Sequence, residues 1–299
     1  VIELIYGMPM SDYLAIEAAS SGACKDLASM SPYAWRNRAQ TSTPAQLLGT
    51  LAHMAILEPE RFGESVVQPS VDLRTNAGKE ALVDWLTAIV GEPTVRPPAK
   101  SATGTILDLY LAELRPRLDS VGIIVVTEDQ RDLCLGMRDA VLSRSHTRTV
   151  IEAEGRIEVT GLCTDPDYEI PCKVRPDKLL LGEPIIISLK TAQSVAERDY
   201  LRASWKYGYA GSAWFYARML HEITGEKHKY WELAVESDQP HDCALYEYSD
   251  TEIAQGEDMM RRGMETYRTC TESGLWPGQG WDWEAMDYGI TTIGRKAEY

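Results

Sequence analysis

Residues 173–191, KVRPDKLLLGEPIIISLKT, decide how the rest of the chain is read. Two apolar runs, DKLLL and PIIISLKT, flank Gly182-Glu183-Pro184, a turn signal. Such a turn folds the second run back antiparallel to the first. Side chains alternate along a strand, so Ile185, Ile187 and Leu189 face one side of the sheet while Ile186, Ser188 and Lys190 face the other. Asp177, at the head of the first run, then lies beside Ser188 and Lys190. An acid, a hydroxyl and an amine converge at one end of a hairpin.

Working outward, period-2 segments begin after His146: IEAEGRIEVTGLC and EIPCKVRP precede the hairpin, and KYWELAVES and CALYEYS follow it. Residues 195–222 between them read as one helical region, and residues 250–273 as a long helix. Upstream the apolar spacing is helical. It runs through SDYLAIEAA, SGACKDLASM and PAQLLGTLAHMAILEPERF, then through residues 76–92 and 103–118. The link EPTVRPPAKSATG is Pro-rich and polar, and TEDQ from Thr127 has the form of a capping box opening another helix. This order implies an α+β fold with one central mixed β-sheet flanked by helices. A single domain over residues 1–299 is expected, with a mainly helical part at 1–148, a sheet-and-helix core at 149–249 and a closing helix and tail at 250–299.

Composition narrows the function. The 299 residues are 44% hydrophobic and 25% charged, enough to bury a sizeable core. The longest apolar stretches, such as LLLGEPIII, fall short of the roughly 20 residues that cross a bilayer, and the opening residues show no targeting signal. A soluble, cytoplasmic protein with no membrane partner is expected. Six cysteines without a C-x-x-C pair point to reduced thiols and away from an iron–sulfur cluster. The formal net charge of −15 argues against non-specific coating of nucleic acid. Any DNA-binding surface must be concentrated, as in an oligomeric ring with a basic bore.

Hydrolysing a phosphodiester near neutral pH needs a cation to polarise the phosphoryl oxygen and acidify a water, with a lysine to orient that water or offset developing charge. Magnesium prefers hard oxygen ligands, typically two carboxylates and a backbone carbonyl from the protein. Asp177 supplies one carboxylate and Leu189 a carbonyl. At the second acid position, two residues before Lys190, stands the neutral hydroxyl of Ser188.

Blocks in the right order over most of the chain resemble the PD-(D/E)XK nuclease superfamily, and within it the phage exonucleases related to RecE (exodeoxyribonuclease VIII) and, more distantly, lambda exonuclease. SSGACKDLASMSPYAWRNR looks like that group's serine-containing helix start and Ser-Pro element. GTLAHMAILEPERF matches G-x-x-x-H-x-x-x-L-E-P through Gly49, His53, Leu57, Glu58 and Pro59, and CKVRPDKL with IIISLKT matches C-K-x-R-P-D and D-L-K-T. The resemblance implies a restriction-endonuclease-like core with a helical N-terminal elaboration. It places His53, Asp177, the Ser188 position and the Leu189 carbonyl at a metal, Mg²⁺ or alternatively Mn²⁺, with Lys190 as the catalytic lysine. Ser20, Ser21 and Gly22 resemble the family's 5′-phosphate pocket. Arg36, Arg38, Lys173, Arg175, Arg202 and Lys206 become candidates for backbone contacts, and Trp35, Trp205, Tyr207 and Tyr209 for stacking on bases.

The family also implies 5′→3′ digestion of linear double-stranded DNA ends, a trimeric or tetrameric ring, a single-strand annealing partner and a phage or prophage origin in a bacterial cytoplasm. Two positions depart from it. Ser188 replaces the second acid, and Ser212 stands where a glutamine is common, four residues and one helical turn before Tyr216. Losing such groups lowers the rate by roughly 100-fold or more, unless another acid such as Glu183 or Glu158 compensates. The alternative is a non-catalytic DNA-end-binding or scaffold protein on the same fold.

Overall fold

The computed structural model describes residues 2–39, 43–120 and 122–289. The N-terminal part runs β1 (Glu3–Ile5), α1 (Met10–Ala15), α2 (Ser21–Ser29), α3 (Pro32–Asn37), α4 (Pro44–Leu57) and α5 (Pro59–Gly63). Local chemistry sets these bounds. Ser20 caps α2 by accepting from the Ala23 amide, and Thr43 with Gln46 forms a capping box ahead of Pro44. At the other end of α4, Glu58 leaves helical geometry just before Pro59.

The short strand β2 (Val66–Val67) leads to α6 (Asn76–Val90) and α7 (Thr103–Ser120), whose facing leucines form a cluster of their own. Next come β3 (Val125–Val126), parallel to β2, then α8 (Glu128–Ser143), opened by the expected capping box at Thr127, and α9 (Ser145–Glu152).

The sheet region follows with β4 (Gly155–Ile157), β5 (Thr160–Thr164), β6 (Pro171–Val174), β7 (Lys178–Leu180) and β8 (Ile185–Ala192). Two helices, α10 (Glu197–Tyr207) and α11 (Tyr209–Thr224), cross over to β9 (Lys229–Glu236). The chain continues through β10 (Cys243–Glu247), α12 (Asp250–Ser273) and a small hairpin of β11 (Trp281–Asp282) and β12 (Asp287–Tyr288).

The central sheet has the order β10-β9-β8-β7-β4, with β8 and β9 parallel and the other pairs antiparallel. It is the expected mixed sheet, layered by helices. The alternation read from PIIISLKT holds: Ile185, Ile187 and Leu189 are buried with residues of α4 and α8, while Ile186 is buried on the other side with residues of α2, α11 and α12. Each such buried isoleucine or leucine contributes about 1.5–3 kcal/mol.

Three features differ from the sequence reading. EIPCKVRP does not join the central sheet; as β6 it belongs to a separate three-stranded sheet, β1-β5-β6. IEAEGRIEVTGLC is not one strand either. Glu158 takes φ 55° and donates its N–H to the Asp177 carbonyl at 3.2 Å, which turns the chain from β4 in one sheet to β5 in the other. Residues 195–222 form two helices because Gly208 adopts a left-handed conformation at their junction. Its φ of 64° lies where L side chains are strained, which is what glycine provides at this junction.

Candidate active site

The β7–β8 hairpin pairs Lys178 with Ile187 and Leu179 with Ile186, which leaves Asp177 level with the Ser188–Leu189 peptide. Asp177 Oδ2 accepts from the Leu189 amide at 2.7 Å and from Ser188 Oγ at 3.0 Å. From α4, His53 reaches the same point: its Nε2 lies 3.0 Å from the Leu189 carbonyl oxygen and 3.3 Å from Asp177 Oδ2. The turn at Glu158 brings in a third side chain. Ligand atoms of His53, Glu158 and Asp177 all lie within 4.8 Å of one another. Glu183, the other compensating acid considered, is exposed in the β7–β8 turn and outside that group.

These separations suit a hard divalent cation. Metal–oxygen bonds of about 2.1 Å at right angles put neighbouring ligands about 3 Å apart, and the His53, Leu189 and Asp177 atoms already stand at 3.0 and 3.3 Å. Electrostatics agree. Burial raises the Asp177 carboxyl, but the His53 charge and hydrogen bond, Lys190 and the Leu189 amide together hold it at about 2. Burial disfavours the His53 cation, yet Asp177 and the Leu189 carbonyl outweigh it and lift His53 above the usual histidine value.

Lys190 donates to Ser188 Oγ through a short contact and lies 3.4 Å from the Leu189 carbonyl. Ser188 therefore bridges acid and ammonium, accepting from one and donating to the other. Beside this bridge is a cavity of ≈ 130 Å³ whose lining includes Asp177, Ser188, Lys190, Ser212 and Tyr216, all named from sequence, and Lys25 and Tyr230, which were not. Lys25 carried a readable signal: it sits four residues after Ser21, one turn along the same helix face. Tyr230 and the fully buried Glu232 carried none beyond a period-2 strand. Glu232 stands in register with Ser188 across β8 and β9, and its Oε2 accepts from the Tyr200 and Tyr248 hydroxyls.

The residues expected along a DNA path are dispersed. Ser20 Oγ is occupied as the α2 cap, whereas Ser21 lines the cavity. Lys173 is buried, with its ammonium on the carbonyls of Tyr13 and Ile16 at 2.9 and 2.7 Å, away from any backbone-contacting surface. Arg175 pairs with Glu158 and donates to the Met8 carbonyl, and Tyr216 donates to the Arg175 carbonyl. Arg36 is exposed over the Trp276 ring, and Trp35 stacks on the same indole at 5.2 Å. Trp205 and Tyr207 are exposed on α10 beside Arg202 and Lys206.

The model of a family described as a PDDEXK-like domain of unknown function (DUF3799) matches residues 23–288. A crystal structure of a protein from Eubacterium rectale, assigned as an exonuclease, superposes over 97% of both chains with a TM-score of 0.56 at 11% identity, which shows a shared fold. An alkaline exonuclease from Laribacter hongkongensis, 16% identical, aligns over 64% of this chain and 94% of its own with a TM-score of 0.28. No curated protein matches the chain.

Proposed function

The chain belongs to the PDDEXK-like DUF3799 family of the PD-(D/E)XK nuclease superfamily, and on that premise we propose that it is a divalent-cation-dependent exodeoxyribonuclease slowed by Ser188. The observation that carries this reading is that His53 Nε2 lies within 3.3 Å of both Asp177 Oδ2 and the Leu189 carbonyl oxygen, with Lys190 on the adjoining peptide. His53, Asp177, Glu158 and the Leu189 carbonyl would hold the cation, for which Mg²⁺ is the expected ion. Such a cation supplies Lewis-acid polarisation of a phosphoryl oxygen and a water of lowered pKa.

The chain's own groups divide the remaining work. Asp177 is ionised throughout the neutral range and ready as a ligand. The Lys190 ammonium, held by Ser188, faces the cavity where a scissile phosphate would lie. Ser188 keeps the lysine in place but adds no charge to a cation shell. Glu158 offers the missing carboxylate from another direction, though Arg175 competes for it.

Digestion of linear duplex DNA from 5′ ends to leave 3′ tails, a trimeric or tetrameric ring, an annealing partner and a phage-encoded role in recombination in a bacterial cytoplasm complete the proposal; they rest on the RecE resemblance. No helix among the described residues is long and apolar enough to cross a membrane, which is compatible with that setting. The competing reading, a DNA-end-binding scaffold, is favoured by one observation: the neutral hydroxyl of Ser188 joins Asp177 to Lys190 where a second acid would stand. Digestion of 5′-phosphorylated duplex with Mg²⁺ separates the two. Slow cleavage by the native chain, abolished in Asp177→Asn and raised about 100-fold in Ser188→Asp, supports the enzyme; no cleavage by either native or Ser188→Asp protein supports the scaffold.

A further inference from the structure

Arg175 follows β6 and is covered by the N-terminal segment. Its guanidinium pairs with Glu158 through a short contact, donates to the Met8 carbonyl at 2.9 Å and to Thr160 Oγ1 at 3.2 Å, and stands 5.6 Å from the centre of the Tyr13 ring. We propose that Arg175 is a positioning residue that holds Glu158 in place of the cation when no metal is bound and yields that carboxylate when the ion enters. The inference rests on the nuclease reading above, and it gives the arginine of the Arg-Pro-Asp block a role in the metal site instead of on the DNA backbone.

Charge is the first support. Ligand atoms of Glu158 and Asp177 lie within 4.8 Å of each other, a range at which two carboxylates in a partly buried space repel. Each acid has a basic partner: His53 stands 3.3 Å from Asp177, and Arg175 pairs with Glu158. An ion between the two acids competes with Arg175 for the second of them. The guanidinium can let go, because the Met8 carbonyl, the Thr160 hydroxyl and the face of Tyr13 remain to it. The exchange therefore strands no buried, unpaired cation.

Anchoring is the second support. Arg175 cannot follow the carboxylate, since the Tyr216 hydroxyl donates to its own carbonyl at 3.2 Å and Lys173 pins α1 above it through the carbonyls of Tyr13 and Ile16. Its side chain is only 10% exposed, which keeps it from a DNA backbone. Glu158 is the partner that can turn. Its main chain is fixed by the N–H bond to the Asp177 carbonyl, but its side chain is 27% exposed and Oε1 makes no hydrogen bond among the described residues. Rotation about side-chain bonds then carries the carboxylate from one partner to the other without moving the sheet.

Mn²⁺ binding to the full chain, followed by electron paramagnetic resonance, tests the exchange, with the site defined as the binding lost in Asp177→Asn. Arg175→Met should bind Mn²⁺ about 10-fold more tightly, mid-range for residues coupled in one ion-pair network, and should melt below the native protein in EDTA. Arg175→Lys, which keeps the charge, should stay near native in both. In a Glu158→Gln background, where nothing is left to exchange, Arg175→Met should not alter Mn²⁺ affinity. An arginine that only supported the fold would not tighten metal binding when removed. Circular dichroism shows whether each variant is folded, and Arg175→Gln, which retains a donor for Met8, takes the place of the methionine variant if that one is not. Unchanged or weaker binding by the folded variant, or an equal gain in the Glu158→Gln background, overturns the proposal. A native chain that binds no Mn²⁺ at the Asp177 site removes the nuclease reading as well; native binding that Arg175→Met does not tighten removes this inference alone.

Discussion

Ser188 Oγ donates to Asp177 Oδ2 across 3.0 Å, so the first acid of the site is tied to a neutral hydroxyl where a second acid would repel it. That bond makes the cation-free site self-sufficient, and its removal should make the protein depend on metal. In Ser188→Asp, two carboxylates meet in a partly buried space and destabilise the fold in EDTA by about 1–3 kcal/mol. Mg²⁺ at 100 times its dissociation constant should return about 2.7 kcal/mol. Thermal melts with and without Mg²⁺ check this; an equal Mg²⁺ shift in native and variant protein would count against a cation at this point.

Glu158 should matter to metal more than to folding. Glu158→Gln removes one carboxylate from the group with His53 and Asp177 and breaks the pair with Arg175. Mn²⁺ affinity followed by electron paramagnetic resonance should fall about 10- to 100-fold. Unchanged affinity would show that Arg175 keeps Glu158 away from the ion.

Much of this was legible in the sequence because it is local. Two residues of spacing put Ser188 and Lys190 on one face, and a Gly-Glu-Pro turn returned Asp177 to them. The block around His53 found a ligand that periodicity alone would have assigned to the core. What escaped depends on contacts between distant segments. Glu158 takes a left-handed backbone that no strand pattern signals, and it does so at the boundary between two sheets. Gly208 interrupts a continuous helical pattern by taking a left-handed backbone that ends one helix and starts the next. Lys173 read as a basic residue beside an Arg-Pro-Asp, yet its ammonium is buried under α1. Lys25 shared a helix face with Ser21, but that it lines the cavity depends on how α2 packs against α11 and α12.

That packing has its own test. A Cβ on Gly263 of α12 would lie 2.0 Å from the Cys24 carbonyl oxygen of α2, a clash of backbone with backbone that no side-chain rotation relieves. Gly263→Ala should therefore cost about 3 kcal/mol or more. Urea denaturation measures it; a loss below about 0.5 kcal/mol would mean that the two helices are not in such close contact.

Alkaline pH should weaken the fold. Burial raises Cys24 and Cys134 to about 12 and Cys163 and Cys270 to about 11. A folded pKa above the unfolded value, near 8.5, gives stability that is intact below that value and is lost as pH rises toward 11–12. By pH 9.5 each thiol has forfeited about 1 kcal/mol. Burial lowers Lys25, Lys173 and Lys178, which work in the opposite sense because the unfolded chain then binds more protons, but these are three groups against six thiols, since burial also raises Cys172 and Cys243. Urea midpoints at pH 7.5 and 9.5 in reducing buffer should show a clear drop, and an unchanged midpoint would contradict the burial of these thiols.

The most direct measurement is anomalous diffraction from crystals soaked in Mn²⁺. A peak about 2.1–2.3 Å from His53 Nε2, an Asp177 carboxylate oxygen and the Leu189 carbonyl oxygen is the result expected for a hard cation held here. Density showing no ion at that point, with His53 Nε2 still hydrogen-bonded to Leu189 in saturating Mn²⁺, would contradict the account at its centre.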